Sequence, residues 1–593
     1  MIERSDGILL PEAEQRVLGQ IIDKIGTEKP DLAEAIRLCA IPHWFNKEIL
    51  AWLRREGSKP SQRTESILKE LKLKKLALTD SANLSLHDNV RNLLLRRWRE
   101  DAEDFQALNA KAAAYYEYKL QQSAISEPDK CAEWEREEMY HLLVSDKQRG
   151  IDRFKGLCNE AVDSYRLSTL DLLLNIANEQ IDDPSPGIQH WIQFFEGKKH
   201  QLSSDWEKAL EVWERLKEER ASFTEDLELS LAVHLSILYK DRGDWKNAIE
   251  CLESSLKTLE KNGHEQSMIT ILNNQGYLYK DKGEWEKAEN DFQRGAEISR
   301  KIGDKRGMAV SLKSLGILYK DKKRWDEALV QFGTSLETLE TIGDDHCLAR
   351  TYEDRGLLFK DRGLLQKDRE DFQKADRDFQ RAREIVDRIG DEREQAAAFN
   401  SLALLYKDRG LLYKDAEDLQ RAETNFAHAR DLLEKTGDQR RIADIFNYLG
   451  FLYAAAMAWL RPTENFQRAL KNFQEALTRL TKIGDERGTA VILNNLGLLY
   501  RRKGEPKPAI DYFQQSLEIV KRVGDEMNAA TTMYELALLY EDTGKYDKAI
   551  DLLENVLKIS EGPGHPDSRI KKSRQKLEMI KAKAMASESA SDQ

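Results

Sequence analysis

The residues of this chain that could do chemistry are spaced so that most of them do none. Cys39, Cys131, Cys158, Cys251 and Cys347 are odd in number and far apart, with no CxxC pair to hold a metal or a redox disulfide. They read as buried thiols of a reducing compartment. Serine, histidine and aspartate are plentiful, but no GxSxG elbow, HExxH helix or Cys-His pairing stands in a recognisable context. No GxxxxGKS/T loop is present to cradle a phosphate. The pairs Lys240-Asp241, Lys280-Asp281, Lys320-Asp321, Lys360-Asp361 and Lys407-Asp408 recur because a longer phrase recurs; they are not catalytic carboxylates. What recurs with a chemistry of its own is an amide, at Asn273, Asn400, Asn447 and Asn494. An Asn side chain offers donor and acceptor together, which suits the backbone of an extended peptide irrespective of its side chains. The chain is expected to be no enzyme and to need neither metal nor cofactor.

Composition says what must position those amides. At 593 residues the chain is too long for one hydrophobic core. Twelve prolines, 40% hydrophobic and 33% charged residues fit amphipathic helices with solvated outer faces. The net charge of −12 is spread over both signs, so nucleic acid is not the default partner. The opening MIERSDGILLPEAEQ lacks a basic stretch followed by an apolar one, and no run approaches eighteen apolar residues. Secretion and membrane insertion are therefore not expected, and the cytoplasm is.

One phrase returns along the chain as LYKDRGDWKNA, LYKDKGEWEKA, LYKDKKRWDEA and LYRRKGEPKPA. Its aromatic anchors are Tyr239, Tyr279, Tyr319, Phe359, Tyr406, Tyr453, Tyr500 and Tyr540, in steps of 40, 40, 40, 47, 47, 47 and 40. Gly276, Gly316, Gly356, Gly450 and Gly497 precede their anchors by three. Ala248, Ala288, Ala328, Ala375, Ala422, Ala469, Ala509 and Ala549 mark a small position in a second helix. Phe292, Phe332, Phe379, Phe426, Phe473 and Phe513 follow by four, one turn along the same face. Gly197, Trp206 and Ala209 add an earlier unit, for about nine repeats over residues 190–560. The segments Ile302-Gly303-Asp304, Thr436-Gly437-Asp438 and Ile483-Gly484-Asp485 fit a left-handed Gly ending one helix and an Asp capping the next. The extra residues, at Gly363–Glu370, Gly410–Glu417 and Met457–Glu464, are expected to form a ridge on one edge, with Pro462 diverting the third into a first helix.

This pattern resembles the tetratricopeptide repeat in its 40-residue form, as in the kinesin light chain, the Pins-type spindle-orientation adaptors and bacterial signal-transduction ATPases with numerous domains. The resemblance implies an all-α, right-handed superhelix whose first helices line a concave groove for a protein or peptide ligand. It places Asn273, Asn400, Asn447 and Asn494 in that groove as exposed side chains. Lys280, Lys320, Lys360, Lys407 and Arg501, each just after an anchor, would form a basic ring favouring an acidic ligand, although the Asp after each Lys neutralises part of it.

After an N-terminal helical lead over residues 1–30, the spacing predicts helices at Asp31–Cys39, Asn46–Arg55 and Glu65–Lys74. A hairpin of Leu76–Thr79 with Leu84–Leu86 and a helix Asp88–Trp98 follow. Residues 31–105 thus resemble a small winged-helix domain and 106–189 the helical spacer of the same signalling ATPases. In that family the His of a motif here reading Leu86-His87-Asp88 touches nucleotide; without a phosphate loop, His87 reads as a wing residue and Asp88 as a helix N-cap. Leu71, Leu73, Leu76 and Leu78 are expected to face a core. Residues 561–593 should hold a capping helix over Asp567–Met585 and a disordered ASESASDQ tail. The function expected is a sensor or adaptor scaffold in bacterial signalling or defence, with a separate NTPase or effector chain as a further partner. The alternative is a winged-helix DNA-binding regulator, suggested by Arg54, Arg55, Lys69, Lys72, Lys74 and Lys75.

Overall fold

The computed structural model describes residues 12–56, 60–73, 77–80, 83–123, 128–164, 166–179, 186–203, 205–560 and 567–591. These fall into two compact units, residues 1–160 with 168–192, and 161–167 with 193–593.

The first unit begins with α1 (Glu12–Glu28), α2 (Pro30–Cys39), α3 (Lys47–Leu53) and α4 (Gln62–Leu73). The ribbon β1 (Ala77–Asp80) and β2 (Asn83–Leu86) and helix α5 (Asp88–Arg99) come next. Asn46 caps α3 by accepting from the Glu48 and Ile49 amides at 2.9 and 3.2 Å. The strands pair antiparallel with Ala77 opposite Leu86, and Phe45 adds a bridge to Leu84 on the other side. Helices α2, α3 and α4 followed by this ribbon resemble a winged helix. Leu71 is buried as expected, whereas Leu73 is 82% exposed and Leu78 49%. The reason is register: α4 ends at Leu73, off the stripe of Thr64, Ile67, Leu68 and Leu71. In the ribbon, Leu84 and Leu86 take the inner face and leave Leu78, opposite Ser85, on the outer one. Leu76, Lys74 and Lys75 lie outside the described residues. Asp88 is not the N-cap but the first residue of α5; His87 is the N-cap, and its side chain makes no capping bond. The unit continues through α6 (Ala102–Ser123), α7 (Pro128–Ser145), α8 (Lys147–Asp163) and α9 (Leu167–Asn178).

Among the described residues nine helical hairpins follow. They are α10 (Pro186–Leu202) with α11 (Trp206–Glu218), α12 (Glu225–Asp241) with α13 (Trp245–Asn262), and α14 (Glu265–Lys282) with α15 (Trp285–Ile302). Then come α16 (Lys305–Asp321) with α17 (Trp325–Ile342), α18 (Asp345–Gln366) with α19 (Arg369–Ile389), and α20 (Glu392–Tyr413) with α21 (Ala416–Thr436). The last are α22 (Gln439–Ala456) with α23 (Pro462–Ile483), α24 (Glu486–Lys503) with α25 (Pro506–Arg522), and α26 (Glu526–Asp542) with α27 (Tyr546–Ser560). One hairpin cannot cover its own apolar stripe, so each stacks on the next in a right-handed superhelix. The repeating alanines and phenylalanines are buried throughout.

Hairpins join by the expected punctuation. Gly303 has φ 75°, and Asp304 accepts from the Gly307 amide at 2.9 Å. In two of these caps the other carboxylate oxygen is taken by the preceding first helix, Arg306 on Asp344 at 2.7 Å and Arg440 on Asp485 at 2.6 Å.

The extra residues of the first two long units are shared between both helices, giving α18 and α20 22 residues each and α19 and α21 21 each. Each lengthened tip is locked by a bidentate pair, Arg362 on Asp371 and Arg409 on Asp418, at 2.6 and 2.7 Å. The Tyr413 hydroxyl donates to the Lys367 carbonyl at 2.9 Å, so these two tips do stand side by side. The third insertion lengthens the second helix, not the first: Pro462 opens the 22-residue α23, in the first turn, where its missing N–H has no intrahelical partner to lose.

At the C-terminus α28 (Asp567–Ser591) caps the stack, burying Leu577 and Ile580. It runs through most of the tail expected to be disordered, because Ala, Lys, Met and Glu favour helix and no Gly or Pro interrupts them.

Candidate peptide groove

The first helices of the array, α12 to α26 in alternation, carry the repeating amides on one layer. Asn273 donates from Nδ2 to Ser311 Oγ of α16 at 3.2 Å, and its Oδ1 is buried without a hydrogen-bond partner among the described residues. The Oδ1 atoms of Asn400 and Asn494 are in the same condition. Asn447 Oδ1 instead accepts from Nδ2 of Asn495 at 2.9 Å. None of the four is the exposed side chain expected: Asn273 is 7% exposed and the others half-buried. Neighbouring first helices stack too closely for a short side chain at this position to clear them.

The same position is Lys313 and Glu353 in the intervening hairpins. Lys313 lies 3.5 Å from Asp354. Glu353 has no ion pair or hydrogen bond among the described residues, and burial, with Asp354 and Glu394 nearby, pushes its carboxyl up to about 7.

The basic ring is not a free positive surface. Lys240 reaches Asp281 at 3.2 Å, Lys280 reaches Asp321 at 2.8 Å, Lys320 reaches Asp361 at 3.5 Å and Lys360 reaches Asp408 at 3.1 Å. Lys407 holds its own neighbour Asp408 at 3.1 Å, and Arg501 holds Asp542 and Glu535 at 2.9 and 3.0 Å. Lys240, Lys280, Lys320 and Lys360 thus each pair with an aspartate one hairpin further on, forming a ladder that ties neighbours and cancels the charge expected to favour an acidic ligand. Of the cations that pointed to DNA, Arg54 is held by Glu34 and Glu56 at 3.5 and 3.1 Å.

Sequence reasoning missed a polar cluster inside the first unit. Glu137, buried on α7, takes His43 Nδ1 at 2.8 Å and lies 3.6 Å from Nε2 of the buried His141. His141 Nδ1 pairs with Asn109 Oδ1 at 2.8 Å, and His43 Nε2 with Glu179 at 3.0 Å. Burial works against the charge on His43, but Glu137 and Glu179 outweigh it and raise its pKa to about 10. No spacing rule connects residues so far apart in the chain. Among the described residues no group of His, Cys, Asp and Glu could hold a metal, and no helix is long and apolar enough to cross a membrane.

A tetratricopeptide-repeat family model matches residues 267–341 and 458–522, and a second such model residues 532–567. The hairpins within those residues match the tetratricopeptide repeat. Among solved structures, the chain is similar to a signal-transduction ATPase with numerous domains that carries a tetratricopeptide-repeat sensor, from Pyrococcus horikoshii, at 14% identity over 87% of this chain and 67% of that one, TM-score 0.40. It is also similar to a Rap protein complexed with competence and sporulation factor, at 12% identity over 72% of this chain and 99% of that one, TM-score 0.36. The apo quorum sensor NprR of B. thuringiensis matches at 14% identity over 64% and 99%, TM-score 0.36. No curated protein matches the sequence.

Proposed function

We propose that the chain is a non-catalytic scaffold whose tetratricopeptide groove binds an extended peptide or protein segment through Asn273, Asn400, Asn447 and Asn494. In this reading it serves as a sensor or adaptor in bacterial signalling or defence, and the winged helix docks a separate NTPase or effector chain. The observation that carries it is the row of amides on the first helices, three of them with a buried oxygen that no donor among the described residues reaches. A buried acceptor left unmade costs about 1–3 kcal/mol. An amide that turns to meet the N–H and C=O of an extended backbone recovers that loss, whatever the ligand's side chains. The cancelled lysine ladder removes the reason to expect an acidic ligand and leaves backbone recognition as the main contribution.

The test is a random peptide library displayed on phage and selected on the purified chain. Peptides recovered on the wild type and lost on the Asn400→Ala, Asn447→Ala, Asn494→Ala triple variant bear the reading out. Equal recovery on both proteins places binding elsewhere.

A further inference from the structure

The tetratricopeptide array meets itself. Arg487 of α24 lies 3.4 Å from Asp241 at the end of α12, and its guanidinium stands over the ring of Trp206 in α11, 5.2 Å from the centroid. Between these early helices and α22 and α24 lies a cavity of about 470 Å³, within the range of small-ligand sites. One groove amide, Asn447, is part of its wall.

The wall is short of positive charge. Arg440 spans Asp485 and Asp444, at 2.6 and 2.5 Å, and Arg487 spans Asp525 and Asp241, at 2.6 and 3.4 Å. Within the wall two guanidiniums therefore face three carboxylates, and Arg487 is shared with a fourth, Asp525, outside it. Burial pushes the carboxyls of Asp241 and Asp444 upward, as expected of acids whose compensation is incomplete. Alongside these acids the cavity is walled by Leu480, Val491 and Ile492, which suit a methylene stem.

We infer that this cavity takes a cationic group on an alkyl stem, supplied by the peptide bound along the asparagines, either as a lysine or arginine side chain or as an amino terminus. The inference rests on the groove reading for its source of ligand, but the cavity can be tested with no peptide in the groove. A cation entering here shares Asp241 and Asp444 with the resident arginines and supplies the charge the wall lacks. The apolar side chains then hold its stem, so an uncharged analogue of the same shape loses most of the interaction.

Binding to the full chain is measured by saturation-transfer NMR with three probes. Nα-acetyl-lysinamide carries its only cation on the side chain, norleucinamide only at the α-amino group, and Nα-acetyl-norleucinamide carries none. At least one cationic probe is expected to bind about tenfold or more tightly than the neutral one, the scale of one hydrogen bond to a charged group, and the tighter of the two names the source. Asp241→Asn with Asp444→Asn should erase that preference while the melting temperature stays near the wild type; if the pair melts early, Asp444→Asn alone is read instead. Equal binding of charged and neutral probes, or a preference untouched by the variants, overturns the assignment. A groove that binds no peptide would leave either result standing.

Discussion

The ring of Phe292 stands where a Cβ on Gly276 would be, its Cε1 2.5 Å from that point. Phe332, Phe379, Phe473 and Phe513 crowd Gly316, Gly356, Gly450 and Gly497 in the same way. Gly276→Ala should therefore over-pack the helix crossing and lower stability by about 1–3 kcal/mol. Gly333, in the middle of α17, has nothing within 4 Å of such a Cβ, so Gly333→Ala should instead raise stability by about 0.5–1 kcal/mol through helix propensity. Urea midpoints of the two variants check the contrast, and a rise in both would mean that the crossing is not close-packed.

Glu353 supplies a pH test. Its folded pKa of about 7 lies above its ordinary 4.5, so the protonated form is the one the fold prefers. The stability it contributes is complete below about 4.5 and is lost as pH rises to about 7. Glu353→Gln, which keeps the shape and removes the charge, should raise the melting temperature at pH 8 by the equivalent of about 1–3 kcal/mol and leave it unchanged at pH 4. An equal effect at both pH values would show that the carboxylate is compensated.

His43 gives the opposite sense within the first unit. A pKa raised to about 10 means that its contribution is complete below about 6.5 and is lost as pH climbs through about 10. His43→Ala removes the closest cation from the buried Glu137, leaving it His141 at 3.6 Å and the backbone amide of residue 43 at 3.3 Å, and breaking one side of a buried pair costs about 3–5 kcal/mol. Differential scanning calorimetry should show the first unit melting early at pH 7, with the deficit shrinking at pH 10. A deficit of constant size would point to lost packing instead of lost charge.

Much of the fold could be read from the sequence because it is written locally. Gly-anchor and Ala-Phe spacings are helix-period signals, and the Gly-Asp punctuation is turn chemistry, so the hairpins and their joints are legible. What escaped depends on partners one hairpin or more away. The repeated Lys-Asp pairs were visible, but Lys280 reaching Asp321 depends on the stacking angle. Asp241 meeting Arg487 depends on how far the superhelix turns over several hairpins. Leu73 and Leu78 were misplaced because a leucine at a helix end or in a two-stranded ribbon has a free face that composition alone does not reveal. The asparagines sit at one repeat position of the first helices, and their burial follows from the closeness of neighbouring first helices.

That burial separates the asparagines energetically. Asn400 and Asn494 each hold a buried Oδ1 with no partner, whereas Asn447 accepts a hydrogen bond from Asn495 at 2.9 Å. Alanine at 400 or 494 removes an unsatisfied acceptor and should leave the ligand-free array as stable as before, or more stable by up to about 1 kcal/mol. At 447 alanine strands the Asn495 amide, itself only 5% exposed, and should cost about 1–2 kcal/mol. Asn447→Ala with Asn495→Ala should recover most of that loss, since both halves of the bond are then gone. Chemical denaturation of the four variants in the absence of ligand measures the pattern. If Asn400→Ala and Asn494→Ala destabilise as much as Asn447→Ala, their amide oxygens are satisfied within the array, and the unmet hydrogen bonds assigned to the groove ligand do not exist.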